Sequence, residues 1–185
     1  MTDSLDRFKV LVNSNTPIIL LETVEEGRAL AVVRRACLDL GLPLFEWSIA
    51  DGLRRSVAAS AGGAPGDTAS AGPILNTTLA AQVLAHIETM TIEAVFILKD
   101  FHRHLDDAVV VRRLRNLAQQ FARSRRALVL TGPAVRLPEE LENQVEHLPL
   151  PMPDRAALRQ VIEATYARLS HRQPLKWSLD GAGLA

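Results

Sequence analysis

The sequence predicts a three-layer α/β fold, with about five mostly parallel strands flanked by helices, and three observations carry that expectation. Short runs rich in β-branched residues alternate with longer segments of helical periodicity along most of the chain. One run, Ala94 to Leu98, is apolar at every position rather than at alternate ones, as in a strand buried on both faces. That run breaks abruptly into Lys99, Asp100, His102, Arg103 and His104. Polar side chains thus stand at the strand's carboxyl end, where open α/β sheets usually bind their ligands.

The elements follow in order. Residues 4–14 place Leu5, Phe8, Leu11 and Val12 on one helical face, and Asn13 to Pro17 break the pattern. Ile18 to Leu21 reads as the first strand. Glu25 to Leu40 carries Leu30, Val33, Cys37 and Leu40 at helical spacing, with Gly41 as its C-cap. Leu42 to Trp47 reads as a second strand, with Pro43 near its start, where a missing donor costs least. Residues 56–73 are almost entirely Ala, Gly, Ser, Pro and Thr, which cannot build a core, so a mobile surface loop is expected.

Asn76 or Thr77 then caps a helix through Leu79, Val83, Ile87 and Met90, ahead of the strand at 94–98. Asp106 or Asp107 opens what reads as the longest helix, with Val110, Leu114, Leu117 and Phe121 inward and Arg112, Arg115, Gln119 and Arg123 outward. Ala127 to Leu130 is a fourth strand, closed by Thr131-Gly132-Pro133. Pro138 to Leu141 forms one helical turn with proline at its first position, and Val145 to Leu148 a short fifth strand. Pro149, Pro151 and Pro153 delay the last helix until Asp154, from which it runs to Ser170.

Composition narrows the function classes. The 21 acidic and 21 basic residues cancel, so no net field draws the chain to nucleic acid or anionic lipid. At 185 residues the chain is long enough to bury roughly 70% of its unfolded surface as one domain. The single cysteine, Cys37, excludes an internal disulfide and reads as a small core residue. Asp3, Asp6, Arg7 and Lys9 interrupt the N-terminal apolar residues, unlike a signal peptide or a membrane span, so a cytoplasmic location is expected.

Chemistry-bearing motifs are sparse. A phosphate loop needs backbone amides curled around the phosphates, a lysine reaching the outer oxygens and a hydroxyl for Mg²⁺, yet G-x-x-x-x-G-K-[ST] occurs nowhere. After the first strand the chain reads Glu22-Thr23-Val24-Glu25-Glu26-Gly27-Arg28, whose carboxylates suit a helix N-terminus and repel a triphosphate. Gly62 to Thr68 is glycine-rich, lacks the lysine, and reads as a linker. Asp100, His102 and His104 alternate, as three ligands of a metal-dependent phosphoesterase would; against that stands a helix-capping acid beside solvated histidines. Arg112, Arg115, Arg123, Arg125 and Arg126 form a basic stripe of the kind a nucleic-acid adaptor uses. With only five Phe, two Trp and one Tyr to stack bases, a solvated helix face is the plainer reading.

The order of parts resembles the P-loop fold of an AAA-type ATPase core: strand first, a Walker-B-like strand third, and a fourth strand ending where a sensor residue sits. Pro17 to Glu26 (PIILLETVEE), Trp47-Ser48, Phe96 to His102 (FILKDFH), Val109 to Leu117, Leu128 to Leu130 and Leu137 to Leu141 are the residues concerned. On these the chain is similar to the N-terminal region of AAA-family proteins of the hypothetical chloroplast reading frame forty-six type. The resemblance implies an AAA-like strand order over residues 1–170 with a degenerate nucleotide site, and a linker starting at 171–185. ATP and Mg²⁺ are then expected only in a downstream ATPase module. The degenerate pocket surface would comprise Glu25, Glu26, Gly27, Lys99, Asp100, His102 and Thr131, with no catalytic residue. The implied partners are the neighbouring AAA module, a protein client and further copies of the full-length ATPase; composition speaks against a membrane and against nucleic acid, with the arginine-led adaptor as the alternative.

Overall fold

The computed structural model describes residues 2–56 and 72–151, together with 159, 162, 163 and 166. The chain divides into two units, Met1–Leu150 and Pro151–Ala185. In the second, residues 159, 162, 163 and 166 are helical and Arg159 donates to Glu163 at 3.2 Å. The remainder of the helix expected over Asp154 to Ser170, the stretch from 171 and most of the loop at 56–73 lie outside the described residues.

The first unit is built on a six-stranded sheet. Its elements are α1 (Thr2–Asn13), β1 (Ile18–Glu22), α2 (Glu26–Leu40), β2 (Leu44–Ser48), β3 (Gly52–Ser56), α3 (Ala80–Thr89), β4 (Val95–Lys99), α4 (Ala108–Phe121), β5 (Ala127–Gly132), α5 (Glu139–Glu142) and β6 (Val145–His147). Across the sheet the strands run β3-β2-β4-β5-β1-β6. All neighbours are parallel except β2 and β3. This is a three-layer α/β architecture with AAA-like strand order.

The alternation of side chains along the strands explains both helix layers. Ile18, Leu20, Phe96, Leu98, Leu128 and Leu130 pack on one face with Val83, Leu84 and Ile87 of α3 and Val110, Leu114, Leu117 and Phe121 of α4. Ile19, Leu21, Val95, Ile97, Ala127 and Val129 pack on the other with Phe8 and Val12 of α1 and Ala29, Leu30, Val33, Ala36 and Cys37 of α2. The central strands are therefore apolar at every position because both faces are covered. Burial also pushes the Cys37 thiol up to about 12, which keeps it protonated and inert.

The expected sheet of about five mostly parallel strands is present, with a sixth strand, Gly52–Ser56, returning antiparallel to β2, and three local expectations need correction. The turn into the sixth strand depends on Gly52, whose φ of +70° sits in the left-handed region. A Cβ there would also come within 2.9 Å of Thr77 Oγ1. Thr77 does not cap α3: its hydroxyl accepts from Leu53 N at 2.8 Å and donates to Ile74 O at 2.6 Å, fastening the approach to α3 against β3. Among the described residues the longest helix is α2, with 15 residues, rather than α4, with 14. Pro138 occupies the N-cap of α5, one residue before the first helical position. Two helix ends match their readings: Gly41 closes α2 in a left-handed conformation, and Asp107 caps α4 by accepting from Val109 N at 2.8 Å.

Candidate functional site

Three neighbouring strands, β4, β5 and β1, end together, and their carboxyl ends open on a cleft of about 320 Å³. Thr23, Val24, Glu26, Asp100, Thr131, Gly132 and Pro133 line it. This is where an open α/β sheet places its ligand. The lining carries two carboxylates and no lysine or arginine, so its field opposes a phosphate chain.

The connection from β1 to α2 is short. Only Thr23, Val24 and Glu25 join the two elements, fewer than half the eight positions of a phosphate-loop motif. Two of its three amides are engaged within the fold: Thr23 N donates to Gly132 O at 2.9 Å and Glu25 N to Thr23 Oγ1 at 3.0 Å. Arg28 N and Ala29 N donate to Glu25 O at 3.0 and 3.1 Å. Beneath the turn, Val135 N donates to Glu22 Oε1 at 3.2 Å, which ties the segment after β5 to the end of β1.

Lys99 does not face the cleft as a phosphate ligand would. Its ammonium lies 3.1 Å from Glu26 Oε1 and 3.7 Å from Glu46 Oε2, on the α2 side of the sheet. Arg34 of α2 donates through Nε and a terminal nitrogen to Glu46 Oε1, at 3.0 and 2.8 Å. Glu26, Lys99, Glu46 and Arg34 thus alternate in sign across the rim and tie α2 to β4 and β2. Sequence reasoning missed Glu46 and Arg34. The signal was a lone carboxylate within the apolar strand Leu44-Phe45-Glu46-Trp47, which a sheet tolerates when a cation reaches it.

The other anticipated site residues separate. Glu25 turns back to Arg28, 2.9 Å away, and Gly27 is exposed. Asp100 takes a left-handed φ of +52° as the chain leaves β4 for the 3-10 turn Phe101–His104, and its side chain caps nothing. The histidines are half-buried rather than solvated. His104 packs edge-on against Trp47 and Phe101, with ring centroids 5.8 and 5.6 Å apart. His102 lies on Gly132, and its Nδ1 is buried without a hydrogen-bond partner. Among the described residues no three His, Cys, Asp or Glu side chains converge as a metal site, so Asp100, His102 and His104 do not act together.

The basic stripe is partly neutralised. Arg125 pairs with Glu93 at 3.0 Å, and this hydrogen-bonded guanidinium holds the Glu93 carboxyl below its usual range. Arg126 is buried, donating to Met90 O at 2.8 Å and lying over the Phe121 ring.

The close approach of His102 to Gly132 makes a testable point. A Cβ on Gly132 would meet His102 Nδ1 and come within 2.9 Å of Cε1, so the ring must turn aside. Gly132→Ala is expected to cost about 1–3 kcal/mol in urea unfolding, the usual penalty for overpacking. Most of that cost should vanish in a His102→Ala background; an equal penalty in both backgrounds would place the strain elsewhere.

Strand order and the cleft at the strand ends together define an AAA-like α/β domain. The sequence model for the N-terminal domain of SpoVK-like AAA ATPases matches residues 4–150, and the chain belongs to that family. Among curated relatives, the AAA domain-containing protein ycf46 of Guillardia theta is 28% identical over 176 residues, covering 94% of this chain and 32% of that protein. Its counterpart in Trieres chinensis is 27% identical over 153 residues, covering 80% and 28%. The chain therefore spans about a third of the length of these relatives.

Solved structures share the fold. A single-substitution variant of RuvB from Thermotoga maritima superposes with a TM-score of 0.56 at 14% identity, covering 91% of this chain and 49% of that one. A chain of the E. coli MS115-1 HORMA:CdnC:Trip13 complex gives 0.57 at 10% identity, covering 98% and 70%. No helix among the described residues is long and apolar enough to cross a membrane.

Proposed function

We propose that this chain is a non-hydrolysing N-terminal domain, which helps assemble or regulate the ATPase to which it belongs and presents a surface to a protein partner. The observation that carries the reading is the rim of the cleft. A triphosphate with Mg²⁺ needs free amides, a reaching ammonium and an acid beside the metal. The three-residue turn uses two of its amides internally, Lys99 is tied to Glu26 and Glu46, and Glu26 and Asp100 line the space the phosphates would take. These residues do not fit the group. ATP and Mg²⁺ belong in this reading to a downstream module, in the part of the relatives' length that this chain does not cover. Assembly through further copies of the full-length protein, in the cytoplasm, belongs to the same proposal.

The test is a phosphate-release assay on the purified chain with ATP and Mg²⁺. Turnover no faster than a protein-free blank is the expected result. Mg²⁺-dependent release that disappears in Asp100→Asn would overturn the reading.

A further inference from the structure

The cleft at the ends of β4, β5 and β1 opposes a phosphate chain, yet its wall holds polar groups that nothing in the fold satisfies. Thr131 lines it from the end of β5 and is 3% exposed, and its hydroxyl makes no hydrogen bond to any described residue. The register sets Lys99 beside Thr131, so Asp100, the next residue, leaves the sheet beside Gly132 in the same wall. The Asp100 carboxylate has neither an ionic nor a hydrogen-bond partner among the described residues.

The other charges around the cleft are matched within the fold. Glu26 pairs with Lys99 at 3.1 Å and Glu25 with Arg28 at 2.9 Å. The N-terminus of α2 contributes about half a positive charge. Asp100 outweighs it together with Glu22, which also lacks an ionic partner among the described residues. The field left over is negative and suits a cation, but the described residues gather no three ligands for a metal. The wall is instead amphipathic. Val24, 80% exposed, and Pro133, also exposed, offer apolar surface beside Asp100 and Thr131. Such surface gains from burial only when something apolar lies against it.

We propose that this cleft receives an arginine side chain of a protein partner. The assignment rests on the reading that the domain holds no nucleotide, and it names the group that enters instead. The methylene stem lies against Val24 and Pro133, as long cationic side chains do on apolar surface. The guanidinium meets the Asp100 carboxylate, and a further N–H donates to Thr131 Oγ1. A lysine ammonium is a point charge without the planar fork that fits a carboxylate. The space, about 320 Å³, equals the liquid volume of about ten waters, room for one long side chain.

Titration of the isotope-labelled chain with Nα-acetyl-argininamide, followed by amide chemical shifts at fixed ionic strength, tests the proposal. Saturable shifts are expected at Thr23–Glu26, Asp100, Thr131 and Gly132. The citrulline analogue, similar in shape and uncharged, should produce none, and the lysine analogue should bind more weakly. Asp100→Asn should weaken binding about tenfold or more, as for loss of a charge-assisted hydrogen bond. Thr131→Val should weaken it severalfold while the urea midpoint holds or rises, because a buried hydroxyl without a partner is removed. A purely structural Thr131 would instead lower the midpoint and leave binding unchanged. Equal shifts with the citrulline analogue, shifts confined to other residues, or affinity that survives both substitutions would overturn the proposal. Turnover in the phosphate-release assay overturns the non-hydrolysing reading, whereas failure to bind the arginine probe overturns only this assignment of the cleft.

Discussion

Trp47→Ala is expected to destabilise the domain by about 3–5 kcal/mol, the range for removing a large aromatic side chain from a core. Trp47 is 1% exposed, sits edge-on to Phe101 with centroids 5.2 Å apart and touches His104. Its indole N–H donates to Thr77 O at 2.5 Å, and Thr77 in turn holds Leu53 N and Ile74 O. One side chain thus joins β2, the 3-10 turn after β4, and the approach to α3. Against a total stability of roughly 5–15 kcal/mol, the loss leaves the variant marginal. Trp47→Phe retains most of the volume and strands the Thr77 carbonyl, which costs about 1–3 kcal/mol. Urea unfolding followed by far-UV circular dichroism separates the two, and faster hydrogen exchange at the Leu53 amide should accompany both. A loss below about 1 kcal/mol in Trp47→Ala would show that the neighbouring rings close the gap, contrary to the packing described.

Much of this architecture is legible in the sequence, and the reasons are physical. Val95 to Leu98 and Leu128 to Leu130 are apolar without interruption because helices cover both faces of the sheet. Gly41 and Asp107 announce helix ends because one offers a left-handed conformation and the other a carboxylate to an open amide. The strand Gly52–Ser56 is harder to read. It has one buried apolar side chain, Leu53, and an arginine pair suited to an edge strand, so its alternation is too short to stand out. Asp51-Gly52 is the one local signal, a turn dipeptide between a strand and its return.

The candidate site is legible only in outline. The sequence places Glu26, Asp100 and Thr131 at strand and helix ends, and the fold brings them to one cleft. It does not reveal that Glu25 turns to Arg28, or that His104 stacks on Trp47, because those choices depend on neighbours distant in sequence or on the helix's own first turn. Nor does periodicity indicate Glu46 as the partner of both Arg34 and Lys99. A charge within an apolar strand shows that a counter-charge exists and leaves its address to the tertiary fold.

Lys99→Asp carries the second large effect. The substitution returns an acid to the end of β4, where Mg²⁺ chelation in a nucleotide hydrolase requires one. It also removes the ammonium between Glu26 and Glu46 and sets a third carboxylate beside them. Lys99 and Glu46 are 22% and 15% exposed at their side chains, so solvent screens the rim incompletely. Surface pairs contribute under about 1 kcal/mol, whereas breaking a buried pair costs about 3–5. An intermediate site with reversed charge is expected to lose about 2–4 kcal/mol. Raising the salt from 0.1 to 1 M shortens the screening length from about 10 to about 3 Å and should recover part of that loss. Lys99→Met, which removes the cation without adding an acid, should cost less and depend less on salt. No Mg²⁺-dependent ATP turnover is expected from Lys99→Asp, because the turn Thr23–Glu25 remains too short to cradle phosphates and two of its three amides stay bonded internally. Phosphate release by this variant above the wild-type level would show that the acid alone was missing. The proposal that the short turn bars this domain from hydrolysing nucleotide would then fall.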